Sequence, residues 1–488
     1  MSLKKLTQNT LIYTIGNISL RASAFLLIPI YTHFLSKSEF GLLQTLLFTI
    51  QIMITLVDVG IRTAMVRFVK EYEDDNKLNL LLGSSLIINL TSGIILFFLS
   101  VTLLKPVIHS LIPDLNSNVI IILTSLAAIS QTFLLNIISF YRAKNEGKLF
   151  MSASLLAAIL LLLFNSLFLI ILKMGINGAL WAQVISYGIL WIGFSIAIYS
   201  KTGIKFSSNV ISKLLVFGAP LILAMSGDLL LNTFGVYFLG YFRNLETVAT
   251  YTLSFKIAQI TLIVLIIPFQ LAYEPFVYSN LKNPELKSNI SKITTYLMLF
   301  FTVLAFLIVF TFRDLLTIIV GSKYEDSYRF IYFILPGFAF MGLQYIGQSL
   351  LHINNKTKIT GITIAVMTVI GIILNYILID YLGMIGIIIT FNLVMAVTSI
   401  LLIYFGNKEF KINFENSRLL VISLIFLALM GTSYYLNEFS SFVYYSVNLI
   451  LFLMLSLGIY FSNFFDRNEK DFISNLTFAN IINKKVRV

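Results

Sequence analysis

The chain has 488 residues, 58% of them hydrophobic and 11% charged, and a net charge of +12. Its mean hydropathy of +0.91 excludes a soluble domain. The absence of cysteine excludes disulfides and thiolate metal sites, and no HExxH or GxxxxGK[ST] motif marks a zinc hydrolase or an ATPase.

Apolar runs long enough to cross a bilayer recur along the chain. There are fourteen, at about 10–34, 39–66, 78–104, 117–141, 149–172, 176–199, 213–240, 247–273, 291–312, 328–351, 359–379, 383–405, 418–436 and 441–463. They are too long and too uniformly apolar for barrel strands, so the expected fold is an all-α integral membrane protein. The first run reads as a helix, not a cleavable signal. It continues past the small triplet Ala22-Ser23-Ala24 and contains Arg21.

With the N-terminus inside and the spans alternating, 24 of the 34 Lys/Arg fall on inner segments, 7 on outer ones, and Arg21, Arg62 and Lys256 within spans. That bias puts both termini in the cytoplasm and explains the basic charge by topology, without a nucleic-acid partner.

The chain also matches itself at long range. A shift of 210 carries Asn145 onto Asn355, Lys148 onto Lys358 and Asn165 onto Asn375. A shift of 207 carries Glu39 onto Glu246, and Arg21 onto Asp228. Paired glycines, Gly175/Gly178 and Gly383/Gly386, follow the two asparagine-bearing helices. Both halves start inside and hold six spans, which makes the repeat a parallel one. The expected division is 1–206 (helices 1–6), 207–406 (helices 7–12), 407–463 (helices 13–14) and a tail at 464–488.

Polar residues at depth are the candidate site. On helix 1, Tyr13, Asn17 and Arg21 share one face at i, i+4, i+8. On helix 2, Gln51, Thr55, Asp58 and Arg62 follow i, i+4, i+7, i+11. Charges at membrane depth cost about 3 kcal/mol each at a helix centre, and they face a bundle interior or a wet cavity. The bland readings stand beside the functional ones. Asp58 and Arg62 are one turn apart and can neutralise each other. Lys256 can snorkel to an interface. Asp228 can serve only to hold Arg21. Arg21 itself has no acidic residue at i±3 or i±4 and keeps its proton.

Three stretches carry a family resemblance: "YTHFLSKSEFGLLQTLLF" after helix 1, "DVGIRTAMVRFV" closing helix 2, and "FGAPLILAMSGDLLL" opening helix 7. With the Asn…Gly-x-x-Gly turns they resemble the Wzx-type flippases and polysaccharide biosynthesis proteins of the multidrug/oligosaccharidyl-lipid/polysaccharide (MOP) exporter superfamily. The resemblance implies a V-shaped pair of six-helix lobes around a central cavity, with two extra helices. It implies a polyprenyl-diphosphate-linked oligosaccharide as substrate, moved between leaflets of the cytoplasmic membrane by alternating access. Arg21 and Lys256 match the basic cavity lining of that family. Substrate binding is therefore expected at Arg21, Tyr13, Asn17, Lys256, Gln51 and Arg62, and gating or ion coupling at Asp228 and Asp58. No cofactor, metal or catalytic residue is expected. A proton or sodium gradient would drive transport, with Asp228 ahead of Asp58 because Arg62 lies beside the latter. Expected partners are the lipid-linked glycan, membrane lipid and neighbouring polymerases and glycosyltransferases, around a monomer. The rival readings are a MATE-like drug or metabolite exporter, whose cavity should be acidic, and a membrane glycosyltransferase or polymerase, which needs a large outer loop.

Overall fold

The structure, a computed structural model, describes Gly16, Ser19 and residues 22–470 apart from 75–76, 112–116, 226, 463 and 468. Among the described residues the regular structure is helical throughout. Without water to satisfy it, membrane-buried backbone has to bond within its own segment, and helices do that. In chain order these are α1 (Ala22–Phe34), α2 (Lys37–Asp58), α3 (Ile61–Asp74), α4 (Leu78–Leu111), α5 (Ser117–Ala143), α6 (Gly147–Asn165), α7 (Gly175–Thr202), α8 (Ser208–Met225), α9 (Gly227–Phe242), α10 (Leu245–Ala258), α11 (Ile267–Ser279), α12 (Leu286–Val320), α13 (Ser327–Ile353), α14 (Thr357–Leu382), α15 (Met384–Glu409), α16 (Asn416–Leu436) and α17 (Ser441–Phe461).

Twelve described helical segments are long and apolar enough to cross a membrane. Three shorter apolar helices, Ala22–Phe34, Ser208–Ala219 and Leu229–Phe242, fall in the expected first and seventh spans.

Four expected spans are not continuous α-helices; the fifth, 149–172, passes from α6 into a π-helical segment, Ser166–Ile171. The run 39–66 breaks into α2 and α3. Val59 (φ 48°) and Gly60 (φ 75°) sit in the left-handed region between them, a conformation that a β-branched residue seldom adopts. The groups freed by the break find partners. Ser92 donates to the Val57 carbonyl at 2.6 Å, and the Asp58 carboxylate accepts the Arg62 backbone N–H at 3.2 Å. A continuous polar face from Gln51 to Arg62 is therefore not formed: it stops at Asp58. Gly60 must be glycine, because a Cβ there would stand 2.1 Å from the Gly218 carbonyl oxygen of α8. The seventh span divides into α8 and α9. The eighth is interrupted by a π-helical turn, Leu262–Ile266, followed by Pro268. The shift of 207 carries Val59–Gly60 onto Ile266–Ile267, so both copies of the second helix are distorted at one place.

The repeat is also visible in its turns. Asn145 (φ 59°) and Asn355 (φ 58°) are both left-handed, as are Gly175 (φ 58°) and Gly383 (φ 59°). The residues after the asparagines close matching bonds, Glu146 N–H to Tyr141 O and Lys356 N–H to Leu351 O, each 2.9 Å.

Packing separates two units. Unit one comprises the described parts of Met1–Ser254, Ile318–Ser327 and Thr357–Thr398; unit two comprises those of Phe255–Thr317, Tyr328–Lys356 and Ser399–Val488. In unit one α5 is central, packed against α2, α3, α4, α6 and α7, while α9 lies on α14. There Asn375, fully within the core, donates to the Leu231 carbonyl at 3.2 Å. In unit two the two helices added beyond the repeat are tied in by buried hydroxyls. Tyr328 meets Tyr444 at 2.7 Å and the Val309 carbonyl at 2.8 Å, and Ser433 donates to Asn448 at 2.7 Å.

Candidate functional site

Of the residues expected to form the site, Tyr13, Asn17 and Arg21 lie outside the described residues. Asp228 is the second residue of α9, and its side chain is also outside them. Gln51, Asp58, Arg62 and Asp228 belong to unit one and Lys256 to unit two. Gln51 is exposed on α2, whereas Asp58, two turns on, is buried.

Asp58 and Arg62 do pair. Arg62 Nε lies 3.3 Å from Asp58 Oδ1, with the Asp58 side chain 7% exposed and that of Arg62 32%. The same carboxylate caps the first turn of α3 through the Arg62 N–H. The break in the second span is what allows this, because it leaves the α3 N–H groups without helical acceptors. Among the described residues the two Nη nitrogens of Arg62 make no hydrogen bond; the contact with Asp58 runs through Nε. That fork is the part of a guanidinium that grips a phosphate in bidentate fashion. The helix continues to Asp74, so Arg67, a loop charge by the limits of the apolar run, is an exposed helical residue, its guanidinium 5.5 Å from the Phe68 ring.

Lys256 lies in the last turn of α10, just before the π-helical turn. It is partly buried, between the buried Phe255 and Ile257. The nearby Thr252 hydroxyl is spent on the Val248 carbonyl at 2.7 Å. Among the described residues no carboxylate or hydrogen-bond acceptor pairs with the Lys256 ammonium. An unpaired cation at such a depth is the arrangement that ligand sites in membranes use. Among the described residues no three His, Asp or Glu side chains cluster as metal ligands.

A second feature was not legible in the sequence. Within unit one, the ends of helices bearing few Lys/Arg close on one another. Phe40 stands edge-on to Tyr324, centroids 5.6 Å apart, and both rings are fully buried. Lys323 donates to the Leu35 carbonyl at 2.9 Å. Gly41 touches α10 so closely that a Cβ would be 1.8 Å from the Leu245 carbonyl oxygen. Lower on the same helix, Thr49 meets the Tyr237 hydroxyl at 2.5 Å. Burial pushes the Tyr324 phenol above its ordinary value, with Glu246 adding to the effect. The residues from Ile318 to Ser327 thus seal against the start of α2.

The fold has known counterparts. A fold likeness covers 92% of this chain and 99% of a structure described as the lipid II flippase MurJ in an inward closed conformation, at TM-score 0.70 and 16% identity. Another covers 81% of this chain and 94% of an inward-facing MATE multidrug resistance transporter of the MOP superfamily, at TM-score 0.64 and 17% identity. An uncharacterized membrane protein of Methanocaldococcus jannaschii is 22% identical over 434 residues, 82% of this chain and 84% of its own. The MatE family matches residues 220–377. The polysaccharide biosynthesis protein family matches residues 6–281, more than half of the chain. The protein therefore has the fold of MOP-superfamily transporters and belongs to the polysaccharide biosynthesis protein family within that superfamily.

Proposed function

We propose that the chain is a flippase that carries a polyprenyl-diphosphate-linked oligosaccharide from the inner to the outer leaflet of the cytoplasmic membrane, for surface polysaccharide biosynthesis. The observation that carries this reading is Lys256: a partly buried ammonium with no partner among the described residues. Arg62, its Nη fork unengaged, adds a second cation, and Arg21 is a third by sequence. A diphosphate at mid-membrane needs such groups, the glycan needs amides and phenols, and the prenyl tail can remain in lipid. The structural neighbour described as a lipid II flippase handles a lipid by its own name, and the family match concerns polysaccharide biosynthesis. The charge bias places both termini inside and the Phe40–Tyr324 seal on the outer side. A protein sealed there would load from the cytoplasm and release by opening that seal, with an ion gradient as the driving force.

A drug exporter is the second reading, favoured by the MatE match at residues 220–377. It asks for acidic groups facing the substrate, but Asp58 is consumed by Arg62.

Complementation tests the proposal. In a strain whose surface polymer depends on this chain, Arg21→Ala and Lys256→Met should abolish most polymer export with the protein still inserted. Arg21→Lys should retain part, since it keeps the charge and loses the fork. Full export by both Arg21→Ala and Lys256→Met would refute phosphate binding. Recovery by the exchange Arg21→Asp with Asp228→Arg would assign the pair to a gate.

A further inference from the structure

Inside unit one, α3, α4, α5 and α7 line a small, partly open cavity of about 20 Å³. Most of its wall is apolar, with Met65 from α3 and the rings of Phe133, Phe140 and Trp191. Three helices nevertheless each send a polar side chain to it: Asn89 from α4, Asn136 from α5 and Ser195 from α7. Asn89 is 2% exposed and Asn136 5%. Among the described residues, Asn136 Nδ2 and Oδ1, Asn89 Oδ1 and Ser195 Oγ have no hydrogen-bond partner in the protein. Because both ends of the Asn136 amide are orphaned, turning the amide over would not pair it.

Buried polar groups in folded proteins are nearly always paired, and an ordered water is the common partner where protein groups do not reach. A single water needs about 10–15 Å³ of such space and two to four polar partners. This cavity offers both. A metal cation fits it worse: no carboxylate lines the cavity, and the Asn136 NH₂ group is a donor that needs an acceptor.

The repeat supplies an internal comparison. The shift of 210 that superposes the asparagine turns carries Asn89 to Leu299, Asn136 to Ile346 and Ser195 to Phe405. The second copy of this helix packing is apolar at all three positions, so the repeat does not require the polar set.

We propose that one water molecule is built into unit one at this point, accepting from Asn136 Nδ2 and the Ser195 hydroxyl and donating to Asn89 Oδ1. Its second hydrogen reaches the Ser85 oxygen, whose own proton is given to the Leu82 carbonyl at 2.8 Å. The water pins α4, α5 and α7 together beside Met65, one turn from Arg62 on α3. It so holds the wall that carries the Arg62 guanidinium, in a way that direct contacts between these short side chains do not.

Two measurements test this on the full-length protein. An experimental structure at a resolution that shows ordered solvent should place one density peak within hydrogen-bonding distance of Asn136 and Asn89. Asn136 bonded directly to Asn89, or a collapsed cavity, would overturn the proposal. In thermal unfolding, Asn136→Ile and Asn89→Leu should each lower the midpoint, since each leaves the other's polar group stranded. The double variant, which copies the second half of the chain, should recover much of that loss. Losses that add instead of offsetting would contradict a shared water. Exchange of sodium for a bulky organic cation should leave the wild-type midpoint unchanged; a sodium-dependent rise that Asn136→Ile removes would make the site a cation site and refute the water.

Discussion

The Asp58 carboxylate engages Arg62 twice: Oδ1 accepts its backbone N–H at 3.2 Å and faces its Nε at 3.3 Å. Asp58 closes α2 and Arg62 lies in the first turn of α3, so the pair spans the break in the second span. Asp58→Ala removes both the helix cap and the counter-charge, and should cost about 1–2 kcal/mol, the usual worth of such a cap. Asp58→Asn keeps an acceptor for the N–H and should lose less. Thermal unfolding of the purified variants checks the order. A carboxylate whose role is the helix cap and the Arg62 pair leaves the pH dependence of transport unchanged in Asp58→Asn; a changed pH dependence would assign it to ion coupling.

The break also rests on two glycines. Gly60 is left-handed, and a Cβ on it would stand 2.1 Å from Gly218 O. Gly60→Ala adds about 1–2 kcal/mol of left-handed strain to that clash. It should therefore fail to accumulate, or melt well below wild type. Gly193, where a Cβ would meet nothing within 4 Å, is the control: Gly193→Ala should be neutral or slightly stabilising. Equal behaviour of the two variants would remove the account of the break.

The helical class and the order of the apolar spans were legible because a bilayer imposes one simple rule on apolar runs. The duplicated turns were legible for the same kind of reason: Asn145 and Asn355 are residues that tolerate a positive φ, and they recur at one spacing. The break at Val59–Gly60 was not. Its "DVGIR" reads as continuous apolar helix, and only the approach of Gly218 from a distant helix requires the glycine. The seal was illegible for a similar reason. Nothing near Phe40 in the sequence announces Tyr324, because their contact depends on how distant segments fold together. Lys256 could be named from sequence as a cation in a span, but whether it had a partner was a question of packing.

The seal can be locked. The chain has no cysteine, so Leu35→Cys with Lys323→Cys gives a single reactive pair where Lys323 now reaches the Leu35 carbonyl. A bifunctional methanethiosulfonate about as long as a lysine side chain should bridge it and stop transport, and reductant should restore transport. Undiminished transport in the bridged protein would show that these ends do not separate.

The segment after α17 carries a pH-sensitive tie. Burial alone would raise the Glu469 carboxyl, but hydrogen bonds from Tyr296, the Asp466 N–H and Arg418, with the Arg418 charge, hold it at about 2 against an ordinary 4.5. Arg418 Nη1 lies 3.3 Å from it and Lys292 Nζ 3.5 Å. A depressed folded value means the unfolded chain takes up the proton first as pH falls. The stabilisation is therefore complete above about 4.5 and is lost towards 2. The thermal midpoint of wild type should exceed that of Glu469→Gln at neutral pH, and the gap should close on acidification through that window. A gap that persists unchanged below it would rule out this carboxylate as its source.

Reconstitution of the purified protein into vesicles tests the central claim most directly. A polyprenyl-diphosphate-linked oligosaccharide is placed in the leaflet facing the protein's cytoplasmic side, and its arrival in the opposite leaflet is read with a membrane-impermeant glycan-cleaving reagent. The account predicts protein-dependent arrival when an ion gradient is imposed, and its loss in Lys256→Met. No arrival under any imposed gradient, or an undiminished rate in Lys256→Met, would contradict it.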